Sequence, residues 1–369
     1  AGKAADGLEN EAGIKSSTLA KLLYMAQQSR NPLKDFENPL DARTVVVIDE
    51  ASMIGTRGMA QLLDEAARAK AKVVLVGDAR QLQPIEAGGP FASICKRIGC
   101  AELTTIVRQK EEWARQAVHH MADGHAMNAL SAFAERGQLT VSKTRTEAYS
   151  DLLNAWKVGG VKAPEKNLIL ACTNTEIEHL NKEAQALRAA RNQLGRLHLT
   201  VQGQDFHKND RILFTKNSAV RGVKNGQLGT VLQVDPLSRS LLVKLDNGRK
   251  VLIPTLVYNK IQLGYAVTTH KAQGMTTRNA FVLTHPSMQD KEMAYVQASR
   301  SSNVTHLFTT RVEAGSTLTE LARTMSRSRQ KGLAADLIGR AEDVGDVLKE
   351  HQQKQSMGQR LAQELKLTR

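Results

Sequence analysis

Two short apolar runs constrain the fold of this chain more than any other feature. VVVI at 45–48 and VVLV at 73–76 consist of β-branched residues apart from one leucine, and an aspartate follows each run within two residues. Between them, Met59, Leu62 and Ala66 recur at helical spacing. A strand, a helix and a second strand within about 30 residues form a βαβ unit, whose strands are parallel. The sequence therefore predicts an α/β protein.

The same pattern returns further along the chain. LILA at 168–171 predicts a strand, the segment from Thr173 predicts a helix with a Thr/Asn cap, and Tyr265–Thr268 and Phe281–Leu283 predict two more strands. Residues 205–258 differ, because short alternating strands are punctuated there by Gly and Asn, which is typical of a small antiparallel barrel or meander. We therefore predict that a small β domain is inserted into the second α/β domain.

Acidic and amide side chains follow both strands of the first βαβ unit. Asp49 and Glu50 come directly after the first strand, where an aspartate can hold Mg²⁺ and a glutamate can polarise an attacking water. On their own they also fit an ordinary solvated turn. Asp78 and Gln81 follow the second strand, and an amide there can bind a terminal phosphate and the attacking water. Because parallel strands end at one edge of a sheet, Asp49 and Asp78 are expected to face one crevice.

Two arginines are candidates for the opposite side of that crevice. Arg108 lies in LTTIVRQK, and Arg300 lies in AYVQASRS near the end of a predicted helix. A guanidinium group can stabilise charge on a transferring phosphoryl group. For Arg108 taken alone, a surface salt bridge is an equally good interpretation.

A donor-rich loop follows the strand that is predicted to end at Thr268. Hydroxyl, imidazole, ammonium and amide groups crowd one turn at a helix start, which suits a phosphodiester backbone. The net charge of +14, from 51 basic and 37 acidic residues, also favours a polyanionic partner, although a merely basic protein would share it. Aromatic residues are only 4%, so backbone contacts are expected to outweigh base stacking. The predicted contacts in this loop are Thr269, His270, Lys271 and Gln273.

The remaining clusters predict neither a further metal site nor a membrane segment. His119, His120 and His125 have no cysteine or carboxylate at ligand spacing, so a solvated helix face is the better interpretation. The three cysteines are sparse and show no metal-type pairing, which indicates a reducing compartment. No apolar run approaches the roughly 18 residues of a membrane span. We expect a cytoplasmic protein without a membrane partner.

Five ordered blocks resemble those of superfamily 1 helicases of the RecD-like branch, and most of all the helicase part of TraA-type conjugative relaxases. The blocks are IDEASM (motif II), GDARQLQP (motif III), TTIVRQ (motif IV), TTHKAQG (motif V) and YVQASR (motif VI). AGKAADGLE at the start is similar to motif Ia, SSTLAKLL is similar to the block after it, and residues 216–231 resemble the SH3-like insert of that branch. The resemblance covers about residues 1–312.

The resemblance implies an ATP-dependent helicase that moves 5′ to 3′ along single-stranded DNA. Asp49 would bind Mg²⁺, Glu50 would activate water, Gln81 would sense the γ-phosphate, and Arg108 and Arg300 would close from the second domain. Asp78 is assigned to the same nucleotide site because it ends the neighbouring strand. The implied partners are single-stranded DNA, an upstream relaxase domain of the same polypeptide and the conjugation machinery. The implied strand contacts are Lys3, Thr18, Thr269 and His270, with Lys216 and Asn217 of the insert.

Four regions follow from these patterns. We predict an incomplete RecA-like domain at 1–118 and a second RecA-like domain formed by 119–204 and 259–314. The SH3-like β insert is predicted at 205–258, and a helical tail at 315–369.

One departure from the family matters more than any match. The phosphate loop G-x-x-x-x-G-K-[ST] is missing, since the only Gly-Lys pair, Gly2-Lys3, is followed by Ala4. We expect the loop to precede residue 1, on a strand and helix that this chain lacks. Its backbone N–H groups and lysine form most of the phosphate cradle, so this chain alone is expected to have little or no ATPase activity. The alternatives are an inactive DNA-binding remnant and a generic P-loop ATPase that remodels protein.

Overall fold

The computed structural model describes residues 5, 7–9, 12–30, 37–333 and 336. The first region contains a two-stranded sheet whose strands pair in parallel, with Val45 opposite Lys72 and Ile48 opposite Leu75. A helix joins these strands, which confirms the predicted βαβ unit. The elements of this region are α1 (Leu19–Gln28), β1 (Val45–Ile48), α2 (Thr56–Ala69), β2 (Lys72–Leu75) and α3 (Pro90–Ile98).

The sheet of this first lobe is covered on one face only. Its core is a small cluster formed by Leu40, Val46, Met59 and Leu62. The valines that point the other way keep between 36% and 54% of their surface exposed. A parallel sheet is normally covered on both faces, whereas the described residues leave the second face of this one partly exposed. These exposed valines are Val45, Val47, Val74 and Val76.

The second lobe begins with two antiparallel-packed helices and a strand–helix–strand–helix unit. Thr173 caps the last of these helices in a capping box with Glu176, as the Thr/Asn signal predicts. The elements are α4 (Glu112–Asp123), α5 (Ala126–Glu135), β3 (Leu139–Ser142), α6 (Arg145–Gly160), β4 (Asn167–Ala171) and α7 (Asn174–Ala189).

An antiparallel β region follows, as predicted for the insert. A hairpin of β5 (His198–Val201) and β6 (Gln204–His207) precedes a five-stranded sheet. That sheet has the order β10-β9-β8-β7-β11, so it includes a strand beyond the predicted boundary at 258. Its likeness to an SH3 barrel stays a prediction. The strands are β7 (Arg211–Phe214), β8 (Leu228–Asp235), β9 (Ser240–Leu245), β10 (Lys250–Pro254) and β11 (Ile261–Leu263).

The chain then returns to the second lobe and completes its sheet. The order is β12-β4-β13-β14-β3, and every pairing is parallel. Of the predicted tail, only residues 315–333 and 336 are described, and the rest lies outside the described residues. The elements are β12 (Ala266–Thr268), α8 (Thr269–Ala272), β13 (Thr277–Leu283), α9 (Lys291–Ala298), β14 (Ser301–Thr310), α10 (Arg311–Ala314) and α11 (Thr319–Ser326).

The sheet of the second lobe is buried on both faces. One face packs against a core that contains Trp156 and Tyr265, and the other against a core that contains Met121 and Leu130. The Trp156 indole donates to the Asn167 carbonyl at 2.9 Å, which satisfies its buried N–H. The α/β class predicted from the sequence is confirmed. Within the described residues, no helix combines the length and apolarity that crossing a bilayer requires.

Candidate active site

Glu50 lies at a strained point of the first lobe. Its φ of 53° is left-handed, a conformation that costs a non-glycine residue about 1–3 kcal/mol. The turn is held on both sides, because the Glu50 N–H donates to Asp49 Oδ1 at 2.8 Å and the Ala51 N–H donates to the Val76 carbonyl at 2.8 Å. This left-handed conformation turns the chain out of β1 and sets the direction of the Glu50 side chain.

The Glu50 carboxylate reaches the second lobe. Its Oε1 lies 3.6 Å from where a Cβ on Gly274 would stand. Burial raises the pKa of Glu50, and the neighbouring Asp49 charge raises it further, whereas Arg300 and the Gln273 amide lower it. The carboxylate of Glu50 is therefore a desolvated base that faces the loop after β12.

Arg300 faces it from the second lobe. Its side chain is 2% exposed, and it donates to the Val296 carbonyl at 3.0 Å and to Ser299 Oγ at 2.8 Å. Burial lowers the pKa of Arg300 to about 10, helped by the like charge of Arg108 and opposed by the Glu50 carboxylate. Because these hydrogen-bond acceptors are neutral, the buried cation is suited to an anionic partner.

Arg108 lies beside it, on the segment that joins the two lobes. Its Nη1 donates to the Ser299 carbonyl at 2.8 Å and its Nε donates to Thr276 Oγ1 at 3.0 Å. Burial lowers the pKa of Arg108, and the Glu50 charge raises it. The structure therefore brings both predicted arginines to the wall opposite Glu50.

Protein donors already occupy the Asp78 carboxylate. Oδ2 accepts from the Tyr295 hydroxyl at 2.7 Å and from Gln81 Nε2 at 3.3 Å, and Oδ1 accepts from the Arg80 N–H at 2.9 Å. Asp78 thus lies in the predicted crevice and is engaged there as a connector between the lobes. Sequence reasoning missed Tyr295, although the YVQASR block contains it.

The donor-rich loop divides into inward and outward residues. Thr269 is fully buried, where its hydroxyl donates to the Ala171 carbonyl at 3.3 Å and accepts from Gln297 Nε2 at 3.1 Å. Gln273 is 6% exposed and lies beside Glu50. Both side chains are therefore buried in this structure, and their predicted contacts with a nucleic-acid strand stay predictions. His270 and Lys271 are at the surface.

The other predicted strand contacts are spread over three regions. Thr18 caps α1 by accepting from the Lys21 N–H at 3.3 Å. Lys216 and Asn217 are exposed in the turn after β7, where Asn217 Oδ1 accepts from the Asn225 N–H at 2.7 Å. Lys3 lies outside the described residues. Their roles stay predictions.

The cleft suits a polyphosphate that carries a divalent cation. Among the described residues, the buried Gln81 Oε1 at this site has no hydrogen-bond partner. Carboxylates line one wall and guanidinium groups the other. The described residues hold no group of three His, Cys, Asp or Glu that could bind a metal on its own. A cation at Asp49 would therefore take its other ligands from phosphate oxygens and water.

Comparison with known proteins agrees with the resemblance of the five sequence blocks to RecD-like helicases. The family profile described as an AAA domain matches residues 1–144. A conjugal transfer protein TraA of Rhizobium radiobacter is 40% identical over 305 residues, which are 81% of this chain and 27% of that protein. An ATP-dependent RecD2 DNA helicase of Deinococcus radiodurans is 29% identical over 304 residues, which are 81% of this chain and 41% of that protein.

The solved structures give only a loose match. A Pif1 helicase from Bacteroides, in complex with ADP-AlF3 and ssDNA, aligns with a TM-score of 0.49 and 18% identity over 81% of this chain and 80% of that one. The chain spans about a quarter of the length of the TraA relative. From the ordered blocks and these sequence matches, the chain belongs to the RecD-like branch of the superfamily 1 helicases and corresponds to the helicase region of a TraA-type protein.

Proposed function

We propose that this chain is the motor portion of an ATP-dependent DNA helicase that acts in conjugal transfer and moves 5′ to 3′ along single-stranded DNA. The observation that carries the proposal is the opposition of Glu50, on the first lobe, to Arg300 on the second lobe and to Arg108 on the segment that joins them. A site divided in this way is complete only when the lobes are closed. Hydrolysis would therefore be tied to their relative movement.

The side chains divide the chemistry between the two walls. Bound Mg²⁺-ATP would supply the cleavable phosphoanhydride bond and the charge of the cation. Asp49 would hold the cation, and Glu50 would accept a proton from water, for which its raised pKa makes it a stronger base. Arg108 and Arg300 would stabilise negative charge on the opposite side.

The loop after β12 supports a link between DNA and hydrolysis. His270 is exposed and Lys271 is half-buried, and both would contact the strand backbone, whereas Gln273 and Gly274 lie beside Glu50. The two pairs of residues are neighbours in the sequence, at 270–271 and 273–274. A strand that shifts this loop would therefore shift the surroundings of the general base.

The exposed valine face of the first lobe supports the predicted phosphate loop upstream. That face, Val45, Val47, Val74 and Val76, would be covered by the strand and helix that carry the loop. Without the loop, this chain would hold a nucleotide poorly. We therefore predict little or no turnover for residues 1–369 alone and robust turnover when the upstream sequence is restored.

The decisive experiment measures DNA-stimulated ATP turnover in the polypeptide extended upstream. Replacing the base by Glu50→Gln should lower kcat about 10²- to 10⁴-fold. The matched control, Glu178→Gln, removes an exposed carboxylate on α7 and should leave kcat unchanged. Equal turnover in the parent and in Glu50→Gln would refute the proposal. Strong Glu50-dependent turnover in residues 1–369 alone would refute the argument that the phosphate loop is needed to hold the nucleotide.

Two further measurements separate the remaining possibilities. Unwinding of duplexes with a 5′ tail but not with a 3′ tail would support the direction. A protein-remodelling ATPase should not bind single-stranded DNA with a steep salt dependence, because only phosphate contacts release counterions. Binding without turnover in the extended polypeptide would indicate the inactive remnant. An upstream relaxase domain and the conjugation machinery are the partners that this function requires.

A further inference from the structure

Tyr295 connects the helix that carries the YVQASR block to the first lobe. It lies on α9, in the second lobe, yet its hydroxyl donates to Asp78 Oδ2 in the first lobe at 2.7 Å. Its ring lies 5.9 Å from the Arg80 guanidinium carbon, which covers this contact. Burial beside the Asp78 carboxylate raises the pKa of Tyr295, so the hydroxyl keeps its proton and stays a donor.

The Asp78 carboxylate also decides which way the Gln81 amide faces. A carboxylate oxygen accepts hydrogen bonds, so the end of the amide that lies 3.3 Å from Asp78 Oδ2 must be the NH₂ group. The other end, Oε1, is then buried and has no hydrogen-bond partner among the described residues. Gln81 therefore offers an acceptor, which can bind the O–H of a water, while its donor is held by the protein.

We propose that Tyr295 is a positioning residue that makes the orientation of Gln81 conditional on lobe closure. When the lobes are closed, the tyrosine hydroxyl fixes Asp78, Asp78 holds the NH₂ group of Gln81, and the amide oxygen is free to orient the attacking water. When the lobes separate, Asp78 loses this donor and the amide can rotate. The inference rests on the proposed ATPase function, because it names the residue that prepares its water-binding group.

The first test needs no nucleotide. Hydrogen exchange of residues 78–83 should report the rigidity of Asp78, because its side chain accepts from the Arg80 N–H and its carbonyl accepts from the Gln81 N–H. In residues 1–369, Tyr295→Phe should speed exchange of these two amides up to about tenfold. Tyr149→Phe removes a hydroxyl from α6 of the second lobe and should leave that exchange unchanged.

A double-mutant cycle tests whether the two contacts form one unit. Asp78→Asn removes the carboxylate of the first lobe that accepts from the Tyr295 hydroxyl. Combining it with Tyr295→Phe should add little to the effect of either single change. Additive effects on exchange, or exchange that Tyr295→Phe leaves unaltered, would overturn the proposal. If one of the two variants is destabilised, the exchange measured in the other single variant still tests the contact between Tyr295 and Asp78.

The second test uses the extended polypeptide. Tyr295→Phe should lower kcat about tenfold and leave the KM for ATP unchanged, because it disturbs the water and not the nucleotide. A raised KM with normal kcat would contradict the assignment. If the parent itself shows no turnover, the proposed function fails, whereas the exchange experiment still decides whether Tyr295 fixes the loop.

Discussion

The two walls of the cleft belong to lobes of very different construction. The second lobe has a five-stranded parallel sheet with a hydrophobic core on each face, and Arg300 is held inside it. The first lobe has two described strands, one small core and a face of exposed valines, yet it carries the strained Glu50. The lobe with the two large cores presents Arg300, and the lobe with the small core presents the base. The geometry of the base therefore depends on contacts made by the other lobe.

A segment after α11 supplies several of these contacts. The Lys331 ammonium group donates to the carbonyls of Pro84 at 2.8 Å, Ile85 at 3.0 Å and Glu86 at 3.0 Å, all in the loop after β2. Two residues earlier, the Arg329 N–H donates to Glu292 Oε2 on α9 at 3.0 Å. The segment thus ties the loop of the first lobe to the second lobe.

The largest expected effect contrasts one matched change in each core. Leu62 on α2 and Leu152 on α6 are both fully buried, so replacing either by alanine should cost about 2–5 kcal/mol. We expect two unfolding transitions in residues 1–369, with the first lobe melting first. Leu62→Ala should lower only the first transition and Leu152→Ala only the second, as followed by calorimetry and by exchange of β1 and β4 amides. A single transition that both variants lower equally would contradict the comparison.

A smaller effect is expected from the segment that joins the lobes. Lys331→Met keeps the length of the side chain and removes the ammonium group from three carbonyls. Because Lys331 is exposed, the loss should be about 1 kcal/mol, confined to the first transition. Lys244→Met, at an exposed position of β9, is the matched control and should change neither transition. If Lys331→Met shifted the second transition, the segment would stabilise the second lobe, and the prediction would be contradicted.

The sequence could predict the lobes because strands and helices have local patterns. The apolar runs VVVI and LILA end where β1 and β4 end, and the Thr173 cap starts α7 as expected. The insert predicted at 205–258 does not include β11, because β11 is a three-residue strand defined by its pairing with β7 rather than by a pattern of its own.

The site could be predicted only as a set of residue types. The sequence brings acids and arginines to strand and helix ends, and the structure places Glu50, Arg108 and Arg300 around one cleft. It does not reveal that Thr269 and Gln273, both predicted to contact DNA, are buried at the two ends of this short helical turn. The roles of Tyr295 and Lys331 could not be recognised from the sequence, because both act through contacts that are distant in sequence. Tyr295 has the pattern of a core aromatic residue, and Lys331 lies in a segment without periodicity.

The smallest effect concerns what the ionised Glu50 does to the stability of the first lobe. Burial raises the pKa of Glu50 in the folded state, so the folded protein favours the protonated carboxyl. The stability that the group contributes is complete below its unfolded pKa and is lost as the pH rises through the folded pKa. Glu50→Gln, which mimics the neutral form, should therefore raise the first transition at pH 7, and the gain should shrink as the pH falls. Glu178→Gln should give no such pH dependence, and a gain of Glu50→Gln that is constant with pH would mean that relief of packing, and not of charge, stabilises the variant.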